Sequence, residues 1–164
     1  MRFQNPIILT FSLCTLLMIA GCGKSKSGDA KPANPEGEHA GEHHGPHKGM
    51  LFDVGPDHKV LGEAVITTEP RKLELYLLDH NDTKKAIIST SKTITITSIK
   101  ADGNPVADIT LDMAPLSTDK DGSSRFVIEG DKLPKEITED HDLIGAKFSV
   151  MIGGKEVQAE IAEH

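Results

Sequence analysis

The stretch from Phe148 to Ile161, FSVMIGGKEVQAEI, decides the fold. Phe148, Val150 and Ile152 alternate with Ser149 and Met151, and after Gly153-Gly154 the alternation resumes through Val157, Ala159 and Ile161. A period of two places successive side chains on opposite faces of a strand. A two-residue glycine turn supplies the positive φ that tight hairpins need. The segment therefore predicts an antiparallel hairpin with one buried face.

Working outward, the same signal recurs. Leu73, Leu75 and Leu77 alternate with Glu74 and Tyr76, and Ile94 and Ile96 alternate with threonines in KTITITSIK, a series that runs on toward Ser98. Ile109, Leu111 and Met113 form another set, as do Phe126 and Ile128, and LFDV at Leu51 and AVITT at Ala64 complete about eight candidate strands. GPDH at Gly55, DHND at Asp79, ADGNP at Ala101 and TDKDGSS at Thr118 are the turn signals between them. No window of ten or more residues carries a sustained helical stripe. Between Glu129 and Gly145 there is room for one helical turn, but Pro134 and the acidic cluster suit a crossover between strands of two sheets. The expectation is all-β, an antiparallel β-sandwich of immunoglobulin-like or related type with about seven to eight strands. With Phe52, Tyr76, Phe126 and Phe148 as its aromatics, branched aliphatics must fill the core.

The beginning of the chain reads as a targeting segment. MRFQNPIILTFSLCTLLMIAGC has a cation at Arg2, then an apolar run from Ile7 to Ala20 that is short for a bilayer span. Its end, Ile19-Ala20-Gly21-Cys22, resembles the lipobox of bacterial lipoproteins. That resemblance implies cleavage after residue 21 and a covalent lipid on Cys22, with an ordinary secretory signal as the alternative. It also implies a cell-envelope location, lipid-anchored to a membrane and facing the periplasm or the exterior. Gly23 stands where an Asp would signal inner-membrane retention, so the outer membrane is favoured. Residues 1–21 leave the fold argument, and 164 minus 21 leaves 143 residues, one domain of ordinary size. Cys14 would leave with them, so no disulfide is available to the exported part.

Without Arg2 the charge is 17 minus 25, or −8 with His neutral. Such a chain is a poor partner for nucleic acid. From Gly23 to Pro46 no apolar side chain exceeds Ala or Pro in size. This composition predicts a disordered tether of about 25–30 Å root-mean-square span. The organisation is thus a signal peptide at 1–21, a lipidated Cys and His-rich linker at 22–46, and a β-sandwich domain at 47–164.

The linker ends in EGEHAGEHHGPHKGM, residues 36–50. His39, His43, His44 and His47 stand at spacings of four, one and three, and neutral imidazole is a good ligand for Zn, Cu(II) and Ni(II), although a flexible arm must be ordered before it can chelate, so its affinity should be modest. Glu36, Glu38 and Glu42 can add oxygen or accept the second ring proton. No cysteine pair gives the spacing of a structural zinc site, and a solvated spacer is the competing reading. His58, in the turn GPDHK, could share a metal with His47 and a carboxylate such as Glu63 if the chain comes back over the start of the domain. His80, His141 and His164 read as turn, loop and terminal residues. Asp119, Asp121 and Gly122 read as a turn, because a calcium loop's later acidic positions are missing. Metal held by histidine should be lost below about pH 6.

From His44-Gly45-Pro46-His47-Lys48-Gly49 through Leu51 to His58, the sequence resembles small exported bacterial proteins and N-terminal modules of some heavy-metal efflux adaptors. In those a His-Gly-Pro-His-Gly-Gly stretch opens a β-domain. Leu75-Tyr76-Leu77-Leu78-Asp79, Ser123 to Phe126 and the terminal hairpin are further similar elements, so the likeness covers most of residues 44–162. The resemblance implies an Ig-like or related sandwich, metal handling and a metal-efflux or other envelope partner. Two positions depart from it. Lys48 replaces a Gly, and Met50, whose thioether would suit Cu(I), stands where another His is frequent. No G-x-S-x-G, H-E-x-x-H or P-loop is present, so the chain is expected not to be an enzyme. The leading expectation is a divalent-metal binder through its His-rich segment, with Zn or Cu as cofactor. The alternative is a structural or protein-interaction lipoprotein whose arm is a spacer.

Overall fold

The structure, a computed structural model, describes residues 44–163. It is all-β and antiparallel, a curled sheet closed by a hairpin in a sandwich-like arrangement. The strands are β1 (Met50–Asp53), β2 (Val60–Thr68), β3 (Arg71–Asp79), β4 (Asp82–Ala86), β5 (Thr93–Ile96), β6 (Lys100–Ala101), β7 (Asn104–Pro105), β8 (Ile109–Met113), β9 (Arg125–Glu129), β10 (Lys147–Ile152) and β11 (Lys155–Glu160). The main sheet runs β1-β2-β3-β9-β8-β5, with β4 taking over the edge of β3 beyond its pairing with β9.

The hairpin read from Phe148 to Ile161 forms in full register, Phe148 opposite Ala159 and Ile152 opposite Lys155, with Gly153 and Gly154 both at positive φ. One bridge, Thr97 to Lys147, ties it to the end of β5 and curls the sheet toward it. Phe148 meets Phe52 edge to face at 6.0 Å, so the strand at one end of the main sheet packs on the hairpin. Such a contact adds about 0.5–1.5 kcal/mol to the burial itself. Leucines and isoleucines fill the space between, including Leu73, Leu75, Leu77, Ile94, Ile96 and Leu111, all with at most 1% exposure.

The segment after β9 crosses between the sheets, as its proline and acids suggested, through two 3-10 turns at Gly130–Lys132 and Asp140–Leu143. The Arg71 guanidinium holds it by donating to the carbonyls of Leu133, Pro134 and Ile137. Ser98 does not extend β5. It sits at φ 60°, which turns the chain toward the small hairpin β6–β7.

β3 decides where a site can form. Its inward side chains, Leu73, Leu75 and Leu77, belong to the main core, yet Glu74, Tyr76 and Leu78 on the opposite face are buried as well. Leu61, Tyr76 and Leu78 form a second, smaller cluster there, flanked by Leu51 and Val65. The outer face of β2 and β3 is therefore covered, and part of the cover is the loop that precedes β1.

Candidate functional site

The loop Gly45-Pro46-His47-Lys48-Gly49 is a three-residue hairpin connection. The Lys48 N–H donates to Gly45 O at 2.9 Å, the Gly45 N–H donates to Gly49 O at 3.0 Å, and His44 bridges Met50. Pro46 presets φ for the second turn position, and Lys48 takes the left-handed conformation at φ 68° that closes such loops. Glycine adopts that conformation without strain, so Lys48 carries a backbone cost that a glycine there would not.

The loop is fastened to the sheet by one side chain. Glu63, on the outer face of β2 and 0% exposed, accepts the His47 N–H at 2.7 Å and the Gly49 N–H at 3.0 Å on Oε1, and its Oε2 lies 2.7 Å from His47 Nδ1. A carboxylate in its ionised form can only accept, and with Glu63 in that form Nδ1 is the donor of the bond. Both flanking glycines are needed for the approach. A Cβ at Gly45 would lie 2.4 Å from Glu63 Cδ, and one at Gly49 would lie 2.1 Å from Ala64 O.

The His47 ring lies flat on Tyr76, directly opposite Glu63 on β3, with centroids 3.8 Å apart and planes within 6°. Tyr76 is itself fixed by donating its hydroxyl to Glu74 Oε1 at 3.2 Å, and Lys72 and Arg125 neutralise Glu74. Burial, and then the charge and hydrogen bond of Glu74, raise the phenol above its ordinary pKa, with Arg125 opposing. The imidazole is thus held on two sides yet 38% exposed. It borders a cleft of about 180 Å³ whose other walls include Leu78, Lys84, Leu116 and Thr118. Nε2 is left as the ring nitrogen without a protein hydrogen bond among the described residues.

The expected ligands separate in space. His47 and Glu63 come together, but both Glu63 oxygens are engaged by the loop, so the carboxylate backs the imidazole and is not open to a cation. His58 does not join them. It lies in the β1–β2 turn, 66% exposed, with Nδ1 2.7 Å from Asp53 Oδ2, and β1 separates it from the loop. Met50 points the other way, 5% exposed in the main core, which removes its thioether from any site on the loop. His44 is exposed and next to the loop. Cys22, His39 and His43 lie outside the described residues. Among the described residues no three His, Cys, Asp or Glu side chains are grouped to hold a metal ion. His141 pairs with Asp140, and Asp119 accepts from the Leu116 and Ser124 backbones, the chemistry of ordinary turns.

No protein-family model, no curated protein and no solved structure matches this chain. Tyr76 is the part that sequence reasoning missed. It is the chain's sole tyrosine, and the available signal was its outward position on β3, opposite Glu63 across the β2–β3 pair.

Proposed function

We propose that this chain is an envelope lipoprotein, anchored through lipid on Cys22, whose His-rich entrance captures a divalent transition metal for buffering or for transfer to an efflux or other envelope partner. The observation that carries the reading is the His47 imidazole. Its Nδ1–H is bound by a buried carboxylate and its Nε2 is left for a cation, the arrangement that orients metal-ligating histidines. His44, beside it, and His43 and His39 along the same arm would complete the donor set. Nitrogen donors of this kind suit Zn, Cu(II) and Ni(II).

A second reading is supported by the loop's own fastening, since Glu63 accepts both the His47 and the Gly49 N–H groups. In it Glu63 serves as a latch that fixes the end of a tether to a protein-interaction domain. Competition titration with a chelator separates the two, using the wild type, His47→Ala and the triple variant His39→Ala/His43→Ala/His44→Ala. Capture requires micromolar or tighter zinc or copper(II) binding that His47→Ala weakens at least tenfold. Negligible binding by every form leaves the latch.

A further inference from the structure

Glu63 poses a problem that stability alone does not answer. No Lys or Arg among the described residues lies within the 4.0 Å of an ion pair with it, whereas Glu74, the other buried glutamate, has both Lys72 and Arg125. Burying a carboxylate without a permanent cation is costly, and a neutral amide oxygen could accept the same two backbone N–H groups. What the carboxylate does, and a neutral amide cannot, is hold Nδ1 of His47 as a donor. Both its oxygens are engaged, Oε1 by the His47 and Gly49 N–H groups and Oε2 by His47 Nδ1, and Gly45 packs against its carboxyl carbon. Tyr76 covers one face of the ring, 3.8 Å away and nearly parallel, which favours the plane of the bond to Glu63.

The geometry points to Glu63 as a positioning residue that locks His47 in the Nδ1–H tautomer, so that an unprotonated Nε2 is presented to the metal while the carboxylate itself is withheld. This rests on the reading of His47 as a ligand and deepens it. With the carboxylate withheld, the donor that the fold fixes is an imidazole nitrogen, so the site favours borderline cations such as zinc and copper(II) over magnesium and calcium, which require oxygen ligands.

The test is long-range ¹⁵N–¹H correlation of the imidazoles in the full chain in detergent, at about pH 8, without metal and then with zinc. The wild type should show His47 as the Nδ1–H tautomer, and zinc should move its Nε2 resonance while magnesium leaves it in place. Glu63→Gln preserves shape. Its amide oxygen can still accept from the two backbone N–H groups, while its NH₂ faces Nδ1 as a donor, so the ring proton should move to Nε2 and zinc affinity should fall about 10–100-fold. A wild-type His47 that exchanges freely between tautomers yet binds zinc overturns the role of Glu63 alone. A locked His47 with zinc bound only elsewhere overturns capture at this loop, and the positioning role with it. Should Glu63→Gln fail to fold, the wild-type spectra decide.

Discussion

Gly45→Ala tests whether the loop depends on the buried carboxylate as described. The added Cβ would lie 2.4 Å from Glu63 Cδ and 2.6 and 2.7 Å from its oxygens, where ordinary contact is 3.4–4 Å. The two must separate by about 1 Å. Glu63 is wholly enclosed and cannot swing aside, so the loop lifts and its bonds to the carboxylate stretch or break. Hydrogen bonds to a charged group contribute about 1.5–3 kcal/mol each. Partial loss of the set, with some relaxation, amounts to about 2–4 kcal/mol, which for a domain of this size lowers Tm by roughly 8–16 °C. Thermal unfolding followed by circular dichroism reads it. Glu63→Ala removes the obstacle, so in that background Gly45→Ala should cost less than about 0.5 kcal/mol, a coupling well above the additivity limit for independent sites. A Gly45→Ala protein melting within about 2 °C of wild type, or losing the same amount in both backgrounds, would refute the reasoning.

Three further outcomes follow from the same structure. Lys48→Gly should raise Tm by about 2–4 °C, because relief of a left-handed non-glycine residue, about 1–2 kcal/mol, exceeds the 0.4–1 kcal/mol of added unfolded-state entropy; a lower Tm would contradict it. The phenol of Tyr76, raised chiefly by burial, should ionise above the free value of about 10 in an ultraviolet absorbance titration that no other tyrosine contaminates. A raised folded pKa means that its contribution to stability is fully present below the unfolded value and is lost as pH rises through the folded one. Finally, the Lys85 ammonium beside Asp79 lowers that carboxyl below the usual aspartate range, so Lys85→Met should move its NMR titration midpoint upward, and an unmoved midpoint would assign the shift to the Asn81 N–H instead.

The terminal hairpin and the leucine and isoleucine strands were legible because each buries one face, and burial of one face writes a period of two into the sequence. β4, Asp-Thr-Lys-Lys-Ala, was not legible, since it is held by backbone pairing to the end of β3 and by the Lys85–Asp79 contact, with no apolar alternation to betray it. Glu63 was legible as a candidate partner of His47, but its role was not. In Gly62-Glu63-Ala64 a glutamate reads as the solvent side of a strand, and it is buried because a distant piece of chain, the His44–Gly49 loop, folds back over it. His58 shows the converse. Eleven positions from His47 in sequence, it lies beyond β1, because the strand between them is extended and carries the two apart.

Copper(II) titration of the full chain, followed by tyrosine emission, tests capture at His47 most directly. The single tyrosine is stacked 3.8 Å from that imidazole and there is no tryptophan, so a paramagnetic ion on Nε2 should quench the signal. Capture at His47 requires saturable quenching with about one equivalent at micromolar copper, abolished by His47→Ala and reversed by chelator. Copper bound at unchanged emission, or no binding at all, would contradict it.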